Sequence, residues 1–105
     1  MSEDLRRVLV LPKAREDLSE SAEFIAEDSL DAALRFFDRV EATFQFLKSH
    51  PEIGSTREYS SHTLKGTRVW PVKDFENWLI FYQLTDLEII VIRVLHGARD
   101  INNLP

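Results

Sequence analysis

The stretch from Leu87 to Leu95 constrains the fold more than any other part of the sequence. In an extended chain, Ile89 and Val91 project to one side and Ile90, Ile92 and Val94 to the other, because successive side chains of a strand alternate between faces. A strand that is apolar on both sides must be covered on both sides, which places it in the interior of a sheet. Its nearest partner is Trp78 to Leu84, joined to it by a Thr85-Asp86 link short enough to be a hairpin turn. Thr67 to Val72 is a third strand, and Pro71 within it, having no N–H to donate, points to an edge or a bulge. Gly97 ends the last strand, and a short polar tail follows. Ahead of these, Val8 to Leu11 is a short apolar run of strand type.

Between the first run and the later strands the apolar period changes. Pro12 is well placed as the first residue of a helix, and Ala14, Leu18, Ala22 and Ile25 then form one stripe, with Phe24 at its edge. This spacing predicts an amphipathic helix over about residues 13–28. Asp28 or Ser29 can cap the next helix, which runs from Leu30 to Ser49 with the stripe Ala33, Phe36, Phe37, Val40, Phe44 and Leu47. His50-Pro51 stops it, because the residue before proline is biased away from the helical region. So short a link makes the two helices an antiparallel hairpin, and neither stripe satisfies the other alone, so both need a sheet. Pro51 to Gly66 reads as a loop. The order is therefore β-α-α-β-β-β: one α+β domain over residues 1–105, with a helical hairpin packed on one face of a largely antiparallel sheet.

The chain has 105 residues, 44% of them apolar, which suits one domain with a real core. It has no cysteine, which excludes a disulfide framework, a thiolate zinc site and a cysteine nucleophile, and fits a reducing cytoplasm. The N-terminal Met-Ser-Glu-Asp is acidic where a signal peptide would be basic, and no apolar run approaches the roughly 20 residues that span a bilayer. The net charge is −5, all of it carried by residues 1–52, and Glu16 to Asp31 holds seven carboxylates with no Lys or Arg. Such a surface repels nucleic acid phosphates. It reads as a solvated helix face, or as a docking face for a basic partner segment.

Chemistry-bearing residues gather near the end of the last strand. His96, Arg99 and Asp100 lie within five positions. His96 has the chemistry of a general acid or base, or it bonds a backbone group while Arg99 pairs with Asp100. Arg93 shares its strand face with Ile89, Val91 and Leu95 and needs a partner there; Asp74, Glu76 and Asp100 are the candidates. Arg68 sits on the edge strand. The histidines His50, His62 and His96 show no metal-ligand spacing, so no metal or other cofactor is expected. Ser60-Ser61-His62 has hydrolase letters without a nucleophile elbow, and the three scattered glycines form no phosphate loop. Trp70, Phe75, Trp78, Phe81 and Tyr82 concentrate aromatics in the sheet. The face that does not meet the helices would be left apolar unless something covers it, which marks a partner site, or else these residues complete the core or a homodimer contact.

The element order, together with Pro12-Lys13-Ala14-Arg15-Glu16-Asp17-Leu18, Ala32-Ala33-Leu34-Arg35-Phe36, Asn77-Trp78-Leu79-Ile80-Phe81-Tyr82 and Arg93-Val94-Leu95-His96-Gly97-Ala98-Arg99-Asp100, resembles the ParE/RelE superfamily of type II toxins. The last of these stretches is typical of the ParE branch. The resemblance implies a cytoplasmic toxin held inactive by a cognate ParD-like antitoxin and acting on DNA gyrase by protein–protein binding. It implies no direct nucleic acid or membrane binding, and allows a homodimer or a hetero-oligomer with the antitoxin. Arg68, Arg93, His96, Arg99 and Asp100 are then the candidates for toxicity and target binding. Trp70, Phe75, Trp78 and Phe81 are those for the antitoxin's wrapping segment.

RelE-type members instead cut mRNA in the ribosome. This chain departs from that pattern: Leu79 stands where an arginine usually follows the strand aromatic, Gly97 where a basic residue follows the last strand, and nothing after Tyr82 is aromatic. An RNase of this kind would have to work with Arg68, Lys73, His96 and Arg99. A relic that binds antitoxin without toxicity is the third reading.

Overall fold

The computed structural model describes residues 6–56 and 65–100. The acidic N-terminal residues and Ser60-Ser61-His62 lie outside the described residues. The order is β1 (Arg7–Val10), α1 (Pro12–Ala26), α2 (Leu30–Ser49), β2 (Ser55–Thr56), β3 (Arg68–Val72), β4 (Phe75–Leu84) and β5 (Glu88–His96). The strands form one sheet in the order β1-β5-β4-β3-β2. β1 runs parallel to β5, and the other pairings are antiparallel. The fold is α+β, two helices on a mixed five-stranded sheet, as expected from the sequence. The two-residue β2 and the earlier start of β4 are additions to that reading.

Local chemistry accounts for the boundaries. Pro12 opens α1, where its missing N–H costs nothing. The Ser29 hydroxyl accepts the Ala32 N–H at 3.1 Å and caps α2. Pro71 stands in β3 beyond the short β2, beside a bulge at Pro71/Val72. The turn into β4 carries Asp74 at φ 65. The carboxylate of Glu76 accepts the Asp74 N–H at 2.9 Å, and Arg39 of α2 pairs with the Asp74 side chain at 2.6 Å.

The core lies between the helices and one sheet face. Phe36, Val40, Phe44 and Leu47 of α2 meet Trp78, Ile80 and Tyr82 of β4 and Ile89, Val91 and Val94 of β5. Each such side chain contributes about 1.5–3 kcal/mol by leaving water. Phe37, included in the α2 stripe by its spacing, instead remains 45% exposed.

One irregularity corrects the reading of β5. The register with β4 shifts between Phe81 and Tyr82, so Tyr82 faces Val91 while Phe81 faces Arg93. The extra residue on β5 reverses the alternation beyond it. Val94 therefore joins Ile89 and Val91 in the core, and Arg93 does not share their face.

Candidate functional site

The end of β5 carries a dense polar cluster, and α1 supplies the counterpart. β1 covers β5 only to Val91, where the Leu11 N–H donates to the Val91 carbonyl at 3.0 Å. Beyond that point the flank of β5 is open, and Asp17 of α1 closes it. Asp17 Oδ2 accepts the main-chain N–H of Val94 at 3.0 Å and Arg93 Nε at 2.8 Å, while Oδ1 accepts Arg93 Nη2 at 3.0 Å. Asp17 is 5% exposed, and a buried carboxylate is tolerated when paired this fully. The Asp17 hydrogen bond also raises the Arg93 pKa above its ordinary value. Arg93 thus has a partner, as its position demanded, but none of the three expected. Asp74 is engaged with Arg39 and Asp100 with Arg99, and Glu76 accepts from the Asp74 main chain.

A turn after the strand carries the rest. The His96 carbonyl accepts the Asp100 N–H at 2.9 Å, and Asp100 Oδ2 accepts the His96 N–H at 2.9 Å. His96 Nδ1 accepts two main-chain N–H groups, Ala98 at 3.2 Å and Arg99 at 2.9 Å. This is a reciprocal cap of the capping-box kind, with an imidazole where a hydroxyl usually stands. In this arrangement Nδ1 serves as the acceptor of both N–H groups. The imidazole meets the Trp78 indole edge to face, centroids 4.6 Å apart. The Gly97 N–H anchors the turn to the Asn77 carbonyl at 2.8 Å.

Arg99 bonds Asp100 through Nε and Nη2 at 3.3 and 3.2 Å and lies over the Phe24 ring, 4.6 Å from its centroid. Burial alone would raise the Asp100 pKa; the His96 N–H and Arg99 outweigh it and hold the carboxyl below its usual value. A cavity of about 170 Å³ separates α1 from the turn, lined by Lys13, Asp17, Glu20, Arg93, Val94, Leu95, Arg99 and Asp100. Its three cations face three carboxylates, so it has no net pull on an anion. Among the described residues no three His, Asp or Glu side chains are grouped to hold a metal ion.

Four of the five proposed target-contact residues therefore meet at one place. Arg68 does not. Its Nη1 donates to the carbonyls of Glu52 and Gly54 at 2.8 and 3.0 Å, and the Tyr82 hydroxyl donates to the Pro51 carbonyl and accepts the Gly54 N–H, both at 2.9 Å. Arg68 holds a loop on the far flank of the sheet.

The expected antitoxin aromatics are also divided. Trp78 and Phe81 are 8% and 2% exposed, so they present no free surface. Trp78 packs on Phe36, and its Nε1 donates to Ser21 of α1 at 2.9 Å. Phe75 is half-buried, edge-on to Phe36. Trp70 is half-buried and stacks on Phe46, which stacks in turn on His50.

Exposed apolar surface lies instead along α2. Leu30, Leu34 and Phe37 share one flank at 68%, 59% and 45% exposure. That flank leads into a groove of about 620 Å³ between the helices and β1, floored by Val8, Val10, Leu18 and Phe44 and rimmed by Arg7, Arg15, Glu41 and Lys48, with Arg7 already paired to Glu88 at 3.1 Å. The charge reading of α1 counted Asp17 among the carboxylates of a solvated face, and Ser21 was not singled out at all. Both fall three and seven positions after the buried Ala14, on the helix face that packs inward, and that spacing was the available signal.

A helical hairpin packed on a mixed five-stranded sheet is also the fold of chains from solved toxin–antitoxin systems. The structure superposes on a chain of the chromosomal ParDE TA system from P. aeruginosa with a TM-score of 0.69 at 16% identity, covering 90% of this chain and 98% of that one. It is also similar to a chain of the E. coli DinJ-YafQ toxin-antitoxin complex, with a TM-score of 0.54 at 16% identity over 90% and 94% of the two chains. Residues 8–101 match the family described as ParE toxin of type II toxin-antitoxin system, parDE, and the chain belongs to that family. No curated protein matches it significantly.

Proposed function

We propose that this type II toxin acts in the cytoplasm by binding DNA gyrase, without catalysis of its own, and that a ParD-like antitoxin neutralises it. The observation that carries the non-enzymatic reading is the state of the β5 exit. Arg93, Arg99 and Asp100 are paired with one another or with Asp17, and His96 Nδ1 is occupied by two main-chain donors. Such a cluster offers a shaped, rigid surface and lacks a free general base held toward a substrate. The balanced charge of the adjoining cavity gives an RNA backbone no attraction. Arg93, His96, Arg99 and Asp100 form the target-contact surface in this reading.

The α2 flank and its groove suit the antitoxin better than the buried Trp78 and Phe81. An amphipathic segment with an apolar stripe would cover Leu30, Leu34 and Phe37, and acidic side chains would meet Arg7, Arg15 and Lys48. Trp70 with Phe46 lines a second groove of about 420 Å³.

The test is purified toxin added to gyrase in supercoiling and DNA-cleavage assays, alongside ribosomes translating a defined mRNA. Blocked supercoiling or trapped cleavage complexes with intact mRNA is the expected result. Cut mRNA with untouched gyrase would move the chain to the ribosome-dependent RNases. Inactivity in both, with antitoxin binding kept, would identify a relic.

A further inference from the structure

The imidazole of His96 holds its turn in only one of its charge states. Its Nδ1 is the shared acceptor for the Ala98 and Arg99 N–H groups, and an Nδ1 that takes up a proton becomes a donor and loses both. Serine, threonine, asparagine or aspartate in this position would cap without titrating near neutrality. Histidine side chains change charge between about pH 5 and pH 8.

The surroundings give the charged ring somewhere to go. Within the turn stand Asp100, whose Oδ2 already accepts the His96 N–H, and Arg99. β5 adds Arg93, and α1 adds Lys13, Asp17 and Glu20 around the adjoining cavity. β4 places Trp78 and Asn77 against the turn, with Glu76 directed at Asp74, and α2 meets Trp78 through Phe36. Asp17 is committed to Arg93 and Val94. Asp100 is thus the anion of the same turn open to an imidazolium, and pairing with it disturbs the bonds that Asp100 makes to Arg99 and to the main chain. Protonation exchanges one set of partners for another.

We propose that His96 is a pH-sensitive positioning residue: neutral, it caps the exit turn and fixes Arg99 and Asp100; protonated, it releases the Ala98 and Arg99 N–H groups and the turn opens. The surface at the end of β5 is then whole at neutral pH and loosened in mildly acidic solution, while the Asp17–Arg93 pair beside it persists.

Amide and imidazole resonances of the full chain, followed between about pH 8 and pH 5, test this. The Ala98 and Arg99 amides should shift in step with the His96 ring, and their solvent exchange, corrected for its intrinsic pH dependence, should rise roughly tenfold, as for a lost helix cap. His96→Asn, which caps without titrating, should keep both amides protected and insensitive to pH, and His96→Ala should leave them unprotected throughout. The proposal is overturned if the ring titrates while the two amides do not respond, if the ring stays neutral throughout, or if His96→Asn follows the wild-type curve. None of these readouts involves gyrase, so this result and the target assay stand or fall separately.

Discussion

Asp17 and Arg93, 76 positions apart, meet in a two-pronged ion pair of 2.8 and 3.0 Å that also takes in the Val94 N–H. One carboxylate therefore fastens α1 to the end of the sheet and fixes the direction of an arginine at the candidate target surface. Asp17→Ala strands both the guanidinium and a main-chain donor. It should lower stability by about 2–3 kcal/mol, somewhat under the figure for a fully buried pair, because the Arg93 side chain is 24% exposed. Urea unfolding of both single variants and the Asp17→Ala/Arg93→Ala double variant should give a coupling of about 1–3 kcal/mol. Strictly additive losses would mean that the pair contributes no energy of its own.

The Tyr82 hydroxyl is a donor and an acceptor at once, to Pro51 and Gly54. Tyr82→Phe leaves the Gly54 N–H unpaired and should cost about 1–2 kcal/mol. Burial raises the Tyr82 pKa above 10.0, against the lowering effects of the Gly54 bond and Arg68. A raised folded-state value gives a stability contribution that is complete below the unfolded pKa and lost as pH rises through the folded one. Wild-type stability should therefore fall on the alkaline side above about pH 10, and Tyr82→Phe should flatten that limb. Denaturation midpoints measured across the alkaline range decide the point.

Gly54 leaves no room for a side chain. A Cβ there would lie 2.6 Å from the Tyr82 hydroxyl oxygen and 2.9 Å from Arg68 Cβ. Gly54→Ala should destabilise by about 1–3 kcal/mol. Removing the obstructing hydroxyl should recover part of that loss, so Gly54→Ala combined with Tyr82→Phe should cost less than the two added. Thermal melts of the four chains provide the comparison.

Leu34 is exposed on the α2 flank, so Leu34→Glu should change stability by less than about 0.5 kcal/mol. If the flank receives the antitoxin's apolar stripe, burying that charge should weaken binding by at least tenfold, or about 1.4 kcal/mol, without weakening growth arrest. Calorimetry with the cognate antitoxin measures the first effect and induced expression the second. Unaltered affinity would place the antitoxin elsewhere.

The element order was legible because the signals were local. Pro12, Ser29 and Pro51 mark helix ends through backbone chemistry that acts within a few residues, and the Ile89–Val94 pattern marks an interior strand. The bulge that turns Val94 inward and Arg93 away depends on how β5 pairs with β4, and no single strand records that. Arg93 was recognisably in need of a partner, but the partner was hidden on α1 among seven carboxylates of similar appearance. Nothing in the sequence placed Arg68 away from the β5 exit, because its letter gives no sign of the two carbonyls it clamps. His96 was legible as either cap or catalyst, and the cap depends on the positions of two amide groups that the sequence does not record.

The pairing of β1 with β5 joins residues 7–10 to residues 88–91. A nascent chain has its first strand and both helices long before it has the strand that seats them. Contacts so distant in sequence also form late in folding. The β1–β5 and β4–β5 pairings, the Asp17–Arg93 pair and the exit turn all await the translation of β5 and the residues just after it. Synthesis thus carries a built-in delay in which the helical hairpin, with its exposed α2 flank, is already outside the ribosome while the surface at the end of β5 does not yet exist. In the proposed reading, an antitoxin that recognises that flank can engage the chain before its proposed target-contact surface has formed.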